Sequence, residues 1–249
     1  MNPAFLLFAN LVLLGRLLVL FRDDAPAGRP WYYKTLIELA GLLAFFAASP
    51  GWIGAAVVVV LANLLSWRWE VKGRRKNLGR LLLGLGELIA LSICFAPAFG
   101  FSFRPEVARV GQRLAEFTAF APLAGLITDY RFQMELFGLL LAANEANLAI
   151  RAGFDLLDLK PRSLPAGQGV VDVGEFNRGR VIGLLERTLL YLFILQGQYG
   201  AIGFVLAAKA FTRFKALDDR PFAEYVLIGT LLSACLALAA GALVLRLLP

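Results

Sequence analysis

The stretch Asn177–Arg213, NRGRVIGLLERTLLYLFILQGQYGAIGFVLAAKAFTR, combines a strongly apolar sequence with charged residues inside it. It is apolar enough to form two helices in a membrane, and its GQYG sequence marks a break between them. A charged side chain at the centre of a bilayer costs at least about 2.5–3.5 kcal/mol, so such residues pair, line a wet cavity or reach the headgroups. The polar residues of this stretch are therefore the first candidates for a binding site: Arg180, Glu186, Arg187, Gln196, Gln198, Lys209 and Arg213.

Apolar runs like this one recur along the whole chain of 249 residues, of which 59% are hydrophobic and 17% charged. The runs do not alternate with the period of two that barrel strands show. Since only helices and closed barrels satisfy the backbone in lipid, the sequence predicts an all-α bundle of transmembrane helices. We expect one integral membrane domain over residues 1–249 with a polar loop at 153–177. The predicted helices are Pro3–Phe21, Trp31–Ala48, Trp52–Trp69, Leu78–Ala96, Arg104–Ile127, Phe132–Ala152, Arg178–Leu195, Ala201–Phe214 and Phe222–Leu247.

One of these helices, Arg104–Ile127, is predicted not to span the membrane. Its first half, EVARVGQRLAEF, is amphipathic and its second half is short, as in an interfacial or re-entrant helix. If this helix does not cross the membrane, the positive-inside rule places all the basic loops in the cytoplasm. We then expect about eight spans, with both termini outside.

Two parts of the chain share a pattern that suggests an internal repeat, over residues 29–96 and 104–196. Each has Arg-Pro, a helix, a helix with Ala-Asn-Leu, a loop, and a helix that opens with Asn-x-Gly-Arg. The last helix carries Glu87 in one copy and Glu186 in the other. Inverted repeats often place a site at their interface. The alternative is coincidence in an apolar sequence of low diversity, and the charge bias of the loops argues partly against inverted copies.

A second group of polar residues lies in the helix Phe132–Ala152. Asn144, Asn147 and Arg151 fall on one face of this helix, with Glu145 beside them. Together with Glu87, they complete the set of candidate binding residues.

The charges of Asn177–Arg213 favour an anionic ligand. One helix supplies Arg180 and Arg187, and the next supplies Lys209 and Arg213. These four cations near the carboxylate of Glu186 form an arrangement suited to a phosphate headgroup or a carboxylate substrate. The alternative is a Glu–Arg–Lys network that only fixes helix packing. Under both hypotheses we expect Glu186 and Arg187 to be buried and paired with charged groups of other helices.

The composition excludes several kinds of site. The chain has no histidine, which removes His-ligated haem, His-containing zinc sites and triads with a histidine base. We therefore predict no cofactor and no metal. The net charge of +7 fits basic loops that face anionic lipid. No loop combines a long basic tract with aromatic residues, so nucleic acid is not an expected partner.

The segments GRVIGLLERTLL, GQYGAIGF, AAKAFTRF and EYVLIGTLLS resemble the C-terminal part of a bacterial inner-membrane family that is described as of unknown function. The resemblance covers roughly residues 175–249. It implies a multi-pass protein of the bacterial inner (plasma) membrane and names no activity. Members of that family begin with a helix that carries His and Asp. This chain has no histidine, so metal or hydrolase chemistry of that helix does not carry over.

Three functions remain open. The favoured one is binding or transport of a small anion or an anionic lipid. The second is a non-catalytic scaffold, as a homo-oligomer or a subunit of a larger membrane complex. The third, an intramembrane lipid-modifying enzyme, lacks a recognisable catalytic set. The scaffold hypothesis rests on a stripe of small residues suited to close helix contact, Gly200, Gly203, Ala207 and Ala210.

Overall fold

The computed structural model describes residues 2–20, 29–72, 76–116, 126–157, 173–212 and 220–248. Within these ranges the chain is all-helical, as predicted, and a 3-10 turn (Pro97–Phe99) follows the fourth helix. A π-helical turn, Leu141–Glu145, connects the sixth helix to the seventh. The α-helices are α1 (Pro3–Leu20), α2 (Arg29–Phe45), α3 (Pro50–Lys72), α4 (Lys76–Cys94), α5 (Pro105–Glu116), α6 (Tyr130–Leu140), α7 (Ala146–Leu156), α8 (Val173–Leu195), α9 (Tyr199–Thr212) and α10 (Arg220–Leu247).

Three of the described helices are long and apolar enough to cross a membrane. They comprise Pro50–Glu70 in α3, Lys76–Cys94 in α4 and Ala223–Leu247 in α10, while α1 and α9 are apolar but shorter. These helices suggest a membrane protein, but the predicted count of about eight spans is not confirmed. Helices α2 and α8 carry several charged side chains within otherwise apolar sequence, which lowers their hydropathy.

Two sequence predictions concern segments that are only partly described. The predicted amphipathic helix is present over Pro105–Glu116, and residues 117–125 lie outside the described ranges. The polar loop predicted at 153–177 is shorter, since α7 continues to Leu156 and α8 begins at Val173. Gly153 and Gly174, at the two ends of the predicted loop, belong to α7 and α8. The repeat over residues 29–96 and 104–196 stays a prediction.

The chain forms two compact units, Met1–Leu140 and Leu141–Pro249. In the first unit, α1 contacts α2, α4 and α6, and α3 packs against both α2 and α4. A helix that is apolar on all sides is buried in the interior of a protein. The core residues of α1 accordingly include Leu6, Phe8, Ala9, Val12 and Leu13.

An aromatic cluster closes one end of the first unit. The ring of Phe46, which follows α2, contacts the rings of Phe8, Phe95, Phe101 and Phe103. The backbone N–H of Arg104 donates to Phe45 O at 2.9 Å, and its Nε donates to Phe46 O at 2.8 Å. Aromatic pairs add about 0.5–1.5 kcal/mol beyond their buried area, so this cluster holds the chain after α4 against the end of α2.

In the second unit, α10 packs along α8 and also contacts α7 and the π turn, and α9 packs against α8. The turn between α8 and α9 is the predicted GQYG break. Gly197 has φ +68°, a left-handed conformation that glycine adopts without a Cβ clash. The N–H of Gln198 donates to Phe193 O at 2.8 Å and ends α8. The apolar core of this unit consists of Leu190, Ile194, Ile202, Ala234 and Ala237.

The close contact between α8 and α10 predicts a cost for adding a methyl group at Gly241. A Cβ there would lie 2.0 Å from Ile194 Cγ2, and a β-branched side chain cannot easily move this methyl away. We expect Gly241→Ala to destabilise the protein by about 1–3 kcal/mol through overpacking. Thermal unfolding in one detergent, followed by tryptophan fluorescence, measures this effect.

Gly86→Ala is the matched control, because a Cβ at Gly86 meets no atom within 4 Å. We expect this variant to keep or raise the melting temperature, since alanine favours helix over glycine by about 1 kcal/mol. Equal stability of the two variants would contradict the close packing of α8 on α10.

Candidate functional site

Four side chains of α2, α3 and α4 form a buried polar network in the first unit. Lys34, Glu38, Asn63 and Glu87, here called the Lys34 network, are each at most 3% exposed. Lys34 Nζ lies 2.6 Å from Glu38 Oε1 and 2.8 Å from Asn63 Oδ1. It also lies 3.1 Å and 3.2 Å from the two carboxylate oxygens of Glu87. Asn63 Nδ2 donates to Glu38 Oε2 at 2.6 Å, so polar contacts link three helices.

Helix geometry and a small neighbour explain how Lys34 reaches this position. Lys34 and Glu38 are four residues apart and therefore lie on one face of α2. On α1, Gly15 leaves room for the aliphatic part of the lysine, because a Cβ at Gly15 would lie 3.3 Å from Lys34 Cγ. The close approach of α1 keeps water from the ammonium group.

Further buried charges lie along the same face of α4. Arg80 pairs with Glu70 of α3, and its Nη2 donates to Glu70 Oε2 at 2.9 Å. Arg16 of α1 donates from Nη2 to the backbone oxygen of Arg80 at 2.9 Å. Its guanidinium packs against Gly84, where a Cβ would lie 2.2 Å from Arg16 Nη1. With Glu87 one turn further on, α4 presents a row of charged contacts to its neighbours.

In the second unit, the central charged residue is Arg187 of α8, which is 4% exposed. Its Nε donates to Ala142 O at 3.0 Å. Its Nη1 lies 3.4 Å from Ser233 Oγ, and its Nη2 lies 3.4 Å from Asn147 Oδ1. The predicted burial of Arg187 is confirmed. Its expected charged partner is not found among the described residues, because these three acceptors are all neutral.

The π turn shapes the surroundings of Arg187. A π turn inserts a residue into a helix and disturbs the regular backbone hydrogen bonds. This turn contains Ala142, whose carbonyl accepts from Arg187, and the buried residues Asn144 and Glu145. Asn147 is also buried, and its Nδ2 meets no acceptor in the described part of the chain. The group of Arg187, Ala142, Asn147 and Ser233 is called the Arg187 site below.

The other predicted site residues lie in different surroundings. Glu186 pairs with Lys209 of α9, as expected, and both side chains are 15% exposed. Gln196 and Gln198 are exposed at the α8–α9 turn, and Arg151 is half-buried in α7. The side chain of Arg180 and the whole of Arg213 lie outside the described structure.

The two charged residues at 186 and 187 therefore have separate partners. Consecutive residues of a helix point about 100° apart. Glu186 consequently faces α9, while Arg187 faces α7, the π turn and α10. Lys209 and Arg187 belong to separate groups of contacts.

Sequence reasoning included Glu87 but missed the other members of the Lys34 network. The spacing of Lys34 and Glu38 was an available signal, as was Asn63 within an apolar helix. Neither signal shows that α4 supplies a second carboxylate to the same ammonium. In the described residues, no group of three or more His, Cys, Asp and Glu side chains is placed to hold a metal ion.

No protein-family model matches this chain, and neither the curated proteins nor the solved structures include a significant match. The similarity of residues 175–249 to a bacterial inner-membrane family remains a hypothesis.

The pair Glu186–Lys209 should stabilise the second unit, because partial burial weakens solvent screening. In a double-mutant cycle with Glu186→Gln and Lys209→Gln, we expect a coupling energy of about 1 kcal/mol. Equilibrium unfolding in mixed micelles measures this energy.

The control is the same cycle for Arg131 and Glu135, a pair on α6 whose side chains are 76% and 36% exposed. Exposed pairs four residues apart on a helix contribute about 0.3–0.5 kcal/mol. A coupling at Glu186–Lys209 no larger than this value would show that the pair contributes nothing beyond a surface ion pair.

Proposed function

We propose that this chain is a multi-pass membrane protein that binds a small anionic group at the Arg187 site and carries it within the membrane. The group is a carboxylate or a phosphate, either free or on a lipid headgroup. The observation that supports this proposal is a buried guanidinium whose described hydrogen-bond partners are all neutral.

A buried cation of this kind is unfavourable without a counter-charge. Removing an ion from water costs several kcal/mol even after the protein relaxes, and neutral acceptors recover only part of that cost. In this chain the nearest described contacts of Arg187 are a carbonyl, an amide and a hydroxyl. The neighbouring carboxylate of Glu186 acts on this guanidinium without a hydrogen bond to it, and an anion beside the guanidinium would supply a directly bonded counter-charge.

The donors around Arg187 suit an oxyanion. A guanidinium has five N–H groups, so the three contacts of Arg187 leave two uncommitted. Asn147 Nδ2 adds a donor in the same place. Two of the three contacts, to Ser233 and Asn147, are 3.4 Å long and are readily exchanged for the shorter charge-assisted bonds of a carboxylate or phosphate.

The contact to Ala142 gives the guanidinium a fixed orientation. Nε is held at 3.0 Å by a backbone carbonyl, while the two terminal nitrogens have only the long contacts. An arginine bound in this way presents its planar fork to a ligand, which a lysine with a single ammonium group does not.

One observation favours the second hypothesis, a scaffold for another membrane helix. The stripe of small residues on α9 is exposed at all four positions, and Phe204 and Phe211 beside it are 74% and 83% exposed. Small residues let helix backbones approach closely in a membrane. The partner would be a second copy of the chain or another membrane subunit.

The location that we propose is the bacterial inner membrane. It rests on the resemblance of residues 175–249, and the three candidate spans support the coarser statement that the chain enters a membrane. We assign no catalytic step to either site.

The proposal predicts that an anion stabilises the protein through Arg187. Inorganic phosphate, added to full-length protein in a neutral detergent, should raise the melting temperature of the wild type and leave that of Arg187→Gln unchanged, because a ligand stabilises only the state that it binds. Loss of charge-assisted bonds worth about 1.5–3 kcal/mol corresponds to a fall in affinity of roughly ten- to hundred-fold. Arg187→Lys should bind with intermediate affinity.

Native mass spectrometry distinguishes a lipid from a free anion. A phosphatidylglycerol adduct that is retained by the wild type and lost in Arg187→Gln identifies a headgroup. Phosphate stabilisation without such an adduct identifies a free anion. Arg131→Gln is the control, since Arg131 is exposed on α6. An unchanged phosphate response in Arg187→Gln would refute the proposal, and a co-purifying protein with no anion effect would favour the scaffold.

A further inference from the structure

We propose that the Lys34 network is a proton-binding site, in which one exchangeable proton resides on either Glu38 or Glu87. This inference goes beyond anion binding at the Arg187 site and does not depend on it.

The first argument is the charge of the network. It contains one ammonium, two carboxylates and a neutral amide, and none of these side chains is more than 3% exposed. With all three ionisable groups charged, the network carries a net charge of −1. An uncompensated buried charge is strongly unfavourable, and carboxyl groups in apolar surroundings relieve it by taking up a proton.

The second argument is the number of hydrogen-bond donors. An ammonium has three N–H groups, and Lys34 donates to Asn63 Oδ1 and to both carboxylate oxygens of Glu87. Glu38 Oε1 lies 2.6 Å from Lys34 Nζ but accepts no hydrogen bond in the described part of the chain. Asn63 Nδ2 adds one donor to Glu38 Oε2. The ammonium has no donor left for the second negative charge. A proton on one carboxyl removes that charge and keeps the contacts of Lys34 to its other acceptors.

The bound species is a proton and not a metal ion. All four carboxylate oxygens and Asn63 Oδ1 lie around the ammonium nitrogen or receive the amide N–H, so Lys34 occupies the position that a cation would need. A metal would have to displace this ammonium from a closely packed position beside Gly15. A proton needs no such space.

The third argument concerns exchange, and it depends on the charges of the neighbouring helices. From α3 and α4, Glu70 and Arg80 form their own ion pair. From α1, Arg16 packs against Gly84, one turn of α4 before Glu87. The positive charge of Arg16 favours an ionised carboxylate nearby. It therefore opposes the proton and makes both protonation states accessible.

Infrared spectroscopy tests this inference on the full-length protein in lipid nanodiscs. We expect a carboxylic-acid C=O band that shifts in D2O and is lost as the pH rises from about 5 to about 9, the range in which buried carboxyl groups titrate. Glu38→Gln and Glu87→Gln should each remove the whole band. Each leaves one carboxylate with one ammonium, and such a neutral pair needs no proton.

Loss of the whole band in each of the two single variants distinguishes a shared proton from other origins of the band. One permanently protonated carboxyl would lose its band in only one of the two variants. Lys34→Gln should enlarge the band about two-fold, because both carboxylates then lack their cation. Arg16→Gln should move the loss of the band to higher pH, because the opposing charge is gone.

Glu106→Gln is the control, because this glutamate pairs with Arg109 on the exposed surface of α5. It should leave the band unchanged. Absence of the band in the wild type at every pH would overturn the inference, and so would a band that survives in both Glu38→Gln and Glu87→Gln. The wild-type measurement does not depend on whether any variant folds.

Discussion

The cost of burying charge in an apolar helical protein governs how this chain packs. Three of the described helices are long and apolar enough to cross a membrane. The described helices nevertheless bury charged side chains with little exposed surface, namely Arg16, Lys34, Glu38, Glu70, Arg80, Glu87 and Arg187. Each such charge costs several kcal/mol unless partners are placed around it. The positions of α1, α2, α3 and α4 in the first unit satisfy this requirement together with the packing of the apolar side chains. Any shift of one helix would separate charges that have no access to water.

The two units meet this requirement in different ways. In the first unit, charges meet opposite charges, and Lys34 is surrounded by two carboxylates and an amide. In the second unit, Arg187 is held by a backbone carbonyl of a π turn and by two uncharged side chains. Within the Lys34 network alone, two carboxylates share one ammonium, and the direct hydrogen-bond partners of Arg187 are all neutral. The two proposals follow from these local contacts, a proton for the first and an anion for the second.

Small residues make the close packing of both units possible. Gly15 and Gly84 provide space for the side chains of Lys34 and Arg16, which then lie between helices and do not extend to the surface. In the second unit, Gly241 lets α10 approach Ile194 of α8. In membranes, where apolar side chains gain little by leaving lipid, such close contacts are a principal source of helix association. Gly15 and Gly84 allow tight packing and therefore also keep the side chains of Lys34 and Arg16 away from water.

The sequence by itself determined the helical class, the approximate extent of the helices and the break at GQYG, because these depend on local composition and on residues such as Gly197. It also predicted that Glu186 pairs with a cation of another helix and that Arg187 is buried, since a charge within an apolar helix must find a partner or a polar environment. It did not identify the partners of Arg187 or the members of the Lys34 network.

Only the tertiary structure decided those contacts. The network joins residues as far apart in sequence as Lys34 and Glu87, and a periodic pattern gives the face of one helix without saying which helix covers it. The π turn at Leu141–Glu145 contains Asn144, so only Asn147 and Arg151 of the predicted face lie together in the regular helix α7. Which charges balance each other is thus a property of the packed helices, because electrostatic energy depends on distances that the sequence does not contain.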